Sequence, residues 1–252
     1  MSKNIRVATY NVLSSSLAGA DYFTKCQKEY LAPDYRFSVL KTKLQSEVEK
    51  KSVICLQEVS TLWAGYLHYY FAANDYHLVT GMYGSKFNGY MGIATAIPRD
   101  EYVLLDADIS RLSDTKRNPR KPKESFIKQL ISRVILFLYT TYLKVLRIEQ
   151  PSNPWWLSSN RYNQIITVRL QSKHNPNKKF VVGNYHMPCM YKEPGVMLIH
   201  SALMAQHVHR IASKCTPADP YVIAGDFNLK PDSSMYALLT SGIHFTALVT
   251  YE

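Results

Sequence analysis

Asp226 and Asn228 stand two apart in GDFNLKPDS (225–233), directly after the apolar run Tyr221-Val222-Ile223-Ala224. The run predicts a short buried strand, and Gly225 lets the backbone turn at its end. Residues two apart on an extended segment point the same way, so Asp226 and Asn228 are expected to project together from the strand's carboxyl end. A carboxylate beside an amide suits a hydrated divalent cation or a polarised water. The pair is equally compatible with a loop in which Asp226 caps a turn. Three other apolar runs close in the same chemistry: one in Tyr10-Asn11, one in Gln57-Glu58 and one in Asn184-Tyr185-His186. A carboxylate at a strand terminus is a poor core residue and a good ligand for a hard cation. Asn11, Glu58, Asp226 and Asn228 together predict an oxygen-rich site for Mg²⁺ or Mn²⁺ rather than zinc. His186, set among such donors, is placed to hold a phosphate oxygen; alone it reads as an ordinary hydrogen-bonded side chain.

Those residues need strands to present them. Strand-like segments fall at 5–12, 52–56, 76–80, 92–97, 164–170, 180–185 and 221–224, with Ile5, Val7 and Thr9 on one face of the first. Helical periodicity covers 35–50, where Phe37, Leu40, Leu44 and Val48 recur on one side, and also 61–73 and 196–214. Strands alternating with helices, with some strands adjacent in sequence, predict a layered α/β protein with its sheets inside. One span breaks the rhythm. DTKRNPRKPKE (114–124) is basic and proline-containing and reads as an exposed loop. SFIKQLISRVILFLYTTYLKVLRI (125–148) follows it, apolar but interrupted by Lys128, Arg133, Lys144 and Arg147. Its uninterrupted core is far shorter than the ~20 residues of a membrane span. It suits a helix on the protein's own core, a lid or nucleic-acid clamp, or a helix resting on a membrane surface. Asn153-Pro154-Trp155-Trp156 is expected to be a turn with apolar anchors.

The chain has 252 residues, enough for a substantial core, and a formal net charge of +11. That balance favours anionic partners: nucleic acid, phosphorylated metabolites or a membrane surface. Cys26, Cys55, Cys189 and Cys215 are scattered, with no CxxC and no zinc spacing, which fits a reduced intracellular protein, cytoplasmic or nuclear. MSKNIRVATYNV has no apolar segment before a small-residue cleavage site, so no secretory signal is expected.

TYNVLSSSLA (9–18), ICLQEVS (54–60), NYHMP (184–188) and GDFNLKPDS (225–233) together resemble the endonuclease/exonuclease/phosphatase superfamily. Within it the likeness is greatest to the carbon-catabolite-repressor-type deadenylases and their nocturnin and angel relatives. EYLAPDYRFSVLKTKLQSEV (29–48) is similar to the helix between the first two motifs, and the likeness weakens only in an insert at about 101–158. The resemblance implies one domain over 1–252, a four-layer α/β sandwich of two packed mixed sheets flanked by helices, and Mg²⁺-dependent phosphodiester hydrolysis of RNA, with poly(A) the expected substrate. It implies Glu58 as principal metal ligand, with Asn11 supporting the metal shell. Asp226 would orient the attacking water, Asn228 would stabilise charge on phosphorus, His186 would contact the scissile phosphate, and Asn163 and Asn184 would face substrate. Family members continue to an Asp and a Ser-Asp-His motif that His244, in SGIHFTAL, does not match. The expectation is therefore a fold incomplete at its carboxyl end, and an alternative role as an inactive RNA-binding protein. Phosphohydrolysis of DNA, a phospholipid or a dinucleotide is the further alternative within the same superfamily.

Overall fold

The computed structural model describes residues 4–115, 135, 153–214 and 217–241. Two four-stranded mixed sheets pack face to face. The first contains β1 (Val7–Asn11), β2 (Val53–Val59), β3 (Tyr76–Met82) and β4 (Gly92–Pro98), in the order β1-β2-β4-β3. The second contains β5 (Tyr102–Arg111), β6 (Gln164–Ser172), β7 (Lys179–His186) and β8 (Tyr221–Asp226), in that order. Each sheet has one parallel pair, β1 with β2 and β7 with β8, and its other pairs are antiparallel. A parallel pair needs a crossover, and a helix supplies each one. α1 (Lys28–Leu31) and α2 (Pro33–Glu49) lie between β1 and β2, and α3 (Thr61–Ala73) follows β2. α4 (Pro154–Ser159) precedes β6, α5 (Pro194–Ala212) joins β7 to β8, and α6 (Ser234–Thr240) follows β8.

Strand alternation sorts the apolar residues into three layers. On β2, Ile54 and Leu56 pack with Leu40, Leu44 and Val48 of α2 and with Trp63, Leu67 and Phe71 of α3. Val53 and Cys55 point the other way, into a layer between the sheets shared with Ile166, Val168, Phe180 and Val182. Beyond the second sheet, Val181 and Tyr185 meet Met197, Leu203, Met204, Val208 and Ile211 of α5. Helices, sheet, sheet and helices therefore form four layers, as the resemblance implied. Ser60 caps α3 by accepting from the Trp63 amide at 3.3 Å, and Pro33 and Pro194 sit in the first turns of α2 and α5.

Two expectations change. The span 101–158 opens with β5, which pairs along its length with β6 as a full member of the second sheet. Asn153-Pro154-Trp155-Trp156 begins a helix instead of forming a turn, because the Asn153 side chain accepts from the amides of Trp155 and Trp156 at 3.0 and 3.2 Å while Pro154 occupies the first helical turn. Most of the 114–124 loop and of 125–148 lies outside the described residues, Ile135 being described, as do Cys215 and His244. Among the described residues, no helix is long and apolar enough to cross a membrane.

Candidate metal-centred active site

At one end of the inter-sheet layer the apolar side chains give way to polar ones. Thr9 and Asn11 on β1, Gln57 on β2, Asn184 and His186 on β7, and Asp226 on β8 occupy the positions that alternation directs inward. Strict alternation would send Glu58 outward, toward the helices. A bulge between Gln57 and Val59 interrupts the β2–β4 ladder, and Glu58 takes φ +57° within it. A left-handed residue at a bulge re-aims its side chain, here into the inter-sheet gap. Asn11, Glu58 and Asp226 then converge. Asn11 Nδ2 donates to Glu58 Oε1 at 2.8 Å and to Asp226 Oδ2 at 2.9 Å. His186 Nε2 lies 3.8 Å from Glu58 Oε1.

Glu58, His186 and Asp226 each offer one ligand atom, and these atoms lie within 4.8 Å of one another. Among the described residues Glu58 Oε2 is buried with no hydrogen-bonding partner, and a buried carboxylate oxygen left unpaired is costly unless something positive meets it. The residues present thus fit a hard divalent cation. The donor set, two carboxylates and one imidazole, favours oxygen-seeking ions over a thiolate-bound one.

Asn11 stands differently from its expected place. Its Oδ1 accepts from the Leu13 amide at 2.9 Å and its Nδ2 spans both carboxylates. It holds the two acids together, with its oxygen turned to the chain. Arg36 of α2 fixes the same loop by donating to the carbonyls of Val12 and Leu13 at 2.8 and 2.6 Å.

Asp226 and Asn228 meet at the site by a turn, not by strand alternation. β8 ends at Asp226, Gly225 has φ +151° and Asn228 has φ +50°. A side chain on Gly225 would collide with the Tyr185 carbonyl oxygen, so only glycine fits there. Asp226 Oδ1 accepts from the Asn228 amide at 2.9 Å, the turn-capping role, while Oδ2 faces Asn11. Asn228 Nδ2 donates to the Met187 carbonyl at 2.8 Å, which ties the turn to β7.

Asn184 is the displaced member of the expected set. It is fully buried between the sheets, accepts from Gln57 Nε2 at 2.9 Å, and donates to the Ala94 carbonyl at 2.9 Å and to Thr95 Oγ1 at 3.2 Å. It locks the second sheet to the first behind the site and has no surface for substrate. Asn163 is half-buried, and its Nδ2 donates to the His186 carbonyl at 2.9 Å. Burial lowers the His186 pKa, against the opposing charges of Glu58 and Asp226. Sequence reasoning missed Tyr83, whose hydroxyl lies 2.9 Å from His186 Nδ1. It sits in GMYGSKF, just past β3, with no neighbouring acid or amide to single it out.

No known family profile matches the chain. Human 2',5'-phosphodiesterase 12 is 25% identical over 244 residues, covering 94% of this chain and 36% of that protein. The CCR4-Not complex 3'-5'-exoribonuclease subunit Ccr4 of Aspergillus niger is 22% identical over 274 residues, covering 95% of this chain and 37% of that protein. The chain therefore spans a little over a third of the length of these curated relatives. Among solved structures, ANGEL2, a 2',3'-cyclic phosphatase, superposes with a TM-score of 0.66 at 19% identity, covering 93% of this chain and 56% of that one. An endonuclease/exonuclease/phosphatase from Bacteroides vulgatus gives 0.61 at 14% identity, covering 93% and 70%.

The chain has the endonuclease/exonuclease/phosphatase fold. The polar end of the inter-sheet layer lies where β1 and β8 face each other, Asn11 on one and Asp226 on the other. A cleft of about 470 Å³ opens beside it, lined among others by Tyr10, Asn11, Asp226, Asn228 and Tyr236.

Proposed function

We propose that this chain hydrolyses phosphodiester bonds in RNA with a divalent cation, Mg²⁺ or Mn²⁺, as a 3'-exoribonuclease of the deadenylase type. The observation that carries this is Glu58: a left-handed bulge turns it inward beside His186 and Asp226, and its buried Oε2 has no hydrogen-bonding partner among the described residues. Glu58 and Asp226 would hold the cation, which supplies Lewis-acid polarisation of a phosphoryl oxygen. Asp226 accepts hydrogen bonds through both oxygens and orients a water for in-line attack. His186 Nε2 and the second hydrogen of the Asn228 amide are the donors available to phosphoryl oxygens. Asn163 steadies the His186 backbone from the side on which substrate would enter. Exposed rings backed by cations supply stacking surfaces for bases: Tyr162 under the Arg111 guanidinium at 4.5 Å, and Tyr10 beside Lys43 Nζ at 4.9 Å. The net charge of +11 would draw a polyanion to them. The relatives support the substrate class, since one is named an exoribonuclease and another a 2',5'-phosphodiesterase.

The test is shortening of end-labelled oligo(A), in 3',5'- and in 2',5'-linked form, with Mg²⁺ and with EDTA. Stepwise loss from the 3' end is expected, abolished by EDTA and reduced at least about 100-fold in Glu58→Gln. Retention of RNA with no shortening in either linkage would make the protein an RNA binder instead.

A further inference from the structure

The second sheet carries its polar end beyond His186. Asp226 pairs with His186 across β8 and β7, and one step past the Ile165–Tyr185 pair Gln164 stands beside His186. Gln164 in turn pairs with Arg111, the last residue of β5. Paired residues share a face, so Arg111, Gln164, His186 and Asp226 form one row across four strands. The row faces the first sheet: a side chain at Gly81 on β3 would meet Gln164 Oε1 and Ile109, which stands two residues before Arg111. Asp108, on the alternate position, faces the other way and meets His207 of α5 at 3.0 Å. Two strand spacings, about 10 Å, separate Arg111 from His186.

Arg111 ends in a built platform. Its Nε donates to the Arg161 carbonyl at 2.9 Å and its Nη2 to the Ser159 carbonyl, which fixes the guanidinium against the segment that carries Tyr162. The guanidinium carbon lies over the Tyr162 ring, 4.5 Å from its centroid. The ring is still 65% exposed, so its other face is open to solvent. A ring already held loses little further freedom when a ligand stacks on it. A flat face backed by a cation reads no pattern of donors and acceptors, and suits a nucleobase of any identity.

The two flanks of the row differ. Beyond Asp226 lies the cleft of about 470 Å³, bounded by Tyr10 and Tyr236. Toward Arg111 lies the open face of Tyr162. An exonuclease must hold one terminal nucleotide and pass a body of any length, so the bounded flank suits the end and the open flank the body. We infer that Tyr162, held by Arg111, is a stacking subsite for a base upstream of the scissile bond, and that it makes the site favour single-stranded chains of several nucleotides over dinucleotides. The inference rests on the phosphodiesterase reading, which places the scissile bond at His186 and Asp226, and deepens it by naming the length of substrate. At 3.4 Å per stacked nucleotide, about 10 Å puts that base no more than about three nucleotides upstream.

Turnover of the dinucleotide ApA and of hexaadenylate with Mg²⁺ tests the subsite. The advantage of the hexamer in kcat/KM should shrink about tenfold in Tyr162→Ala and be kept in Tyr162→Trp, which restores a flat face. A single abasic residue moved along the hexamer should reproduce that loss in the wild type at one position within about three nucleotides of the cleaved bond. At that position Tyr162→Ala should lose nothing more. Equal losses on the two lengths would make Tyr162 a support of its loop and overturn the inference. An unaltered advantage, or a tryptophan variant no better than alanine, would overturn it as well. Binding separates this from failure of the hydrolytic reading. If the wild type cleaves neither substrate, that reading fails, and anisotropy of labelled hexaadenylate in EDTA still decides the subsite. About tenfold weaker binding by Tyr162→Ala supports it; equal affinities, or no binding by the wild type, overturn it.

Discussion

At the scale of single residues, the site is built from side chains that each do a second job. Asp226 closes a turn and faces the gap; Asn11 restrains a loop and bridges two acids. The bridge matters most without a cation, because Asn11 Nδ2 is then the donor that two adjacent carboxylates share. Asn11→Asp replaces that donor with a third carboxylate of the same shape. Two charge-assisted hydrogen bonds are lost and three acids crowd one another, so the chain in EDTA should be destabilised by about 3 kcal/mol. A divalent cation should narrow the difference, since it meets the added charge. Thermal melts of both proteins in EDTA and in Mg²⁺ measure this. A deficit of equal size in the two conditions would place the cation elsewhere. The left-handed backbone at Leu13, Glu58 and Asn228 belongs to the same scale. Such conformations cost roughly 1–3 kcal/mol each and collect where side chains must be aimed.

At the scale of elements, much was legible in the sequence. Apolar runs that end in an amide or an acid mark β1, β2, β7 and β8 and their carboxyl ends, and the period of 35–50 marks α2. The bulge was not legible. LQEV reads as unbroken alternation, which would turn Glu58 toward α3, and only the ladder between β2 and β4 reveals the extra residue. Asn184 was misread for a related reason: a polar residue beside His186 reads as substrate-facing, and the partners that bury it come from the other sheet, far away in sequence. β5 was hidden because VLLDADISR mixes charge into a strand whose one face is exposed. The Asn184–Gln57 contact makes an element-level prediction. Asn184→Leu leaves Gln57 Nε2 one partner short and strips the Ala94 carbonyl of its side-chain donor. A half-satisfied buried network costs more than none, so about 2–4 kcal/mol of stability should go. Adding Gln57→Leu should return part of that loss, because both polar partners are then removed. Urea unfolding of the single and double variants gives the coupling, and strictly additive losses would mean that the two side chains do not act as a pair.

At the scale of the whole molecule, the two sheets are held by burial, and burial sets how the fold responds to acid. His200 on α5 is fully buried against the second sheet, with Nδ1 2.7 Å from the Tyr185 hydroxyl and the rings nearly parallel at 7°. Burial outweighs the opposing effect of the Ser158 backbone and lowers its pKa from 6.5 to about 4. A histidine depressed in the fold binds its proton more readily when the chain is unfolded. Between pH 6.5 and 4 the unfolded chain therefore holds more protons, and stability rises with pH. The contribution is complete above about pH 6.5 and is lost as pH falls toward 4, a change on the order of 3 kcal/mol. His186 and His207 are shifted the same way by burial and steepen the slope. His200→Gln keeps an acceptor for Tyr185 but cannot take up the proton, so its unfolding free energy should fall less between pH 7 and pH 5 than that of the wild type. Urea titrations across that range measure both slopes. Parallel slopes would mean that α5 lifts off and hydrates His200 before the fold as a whole gives way, and that the outer layer and the sheets it covers do not unfold as one unit.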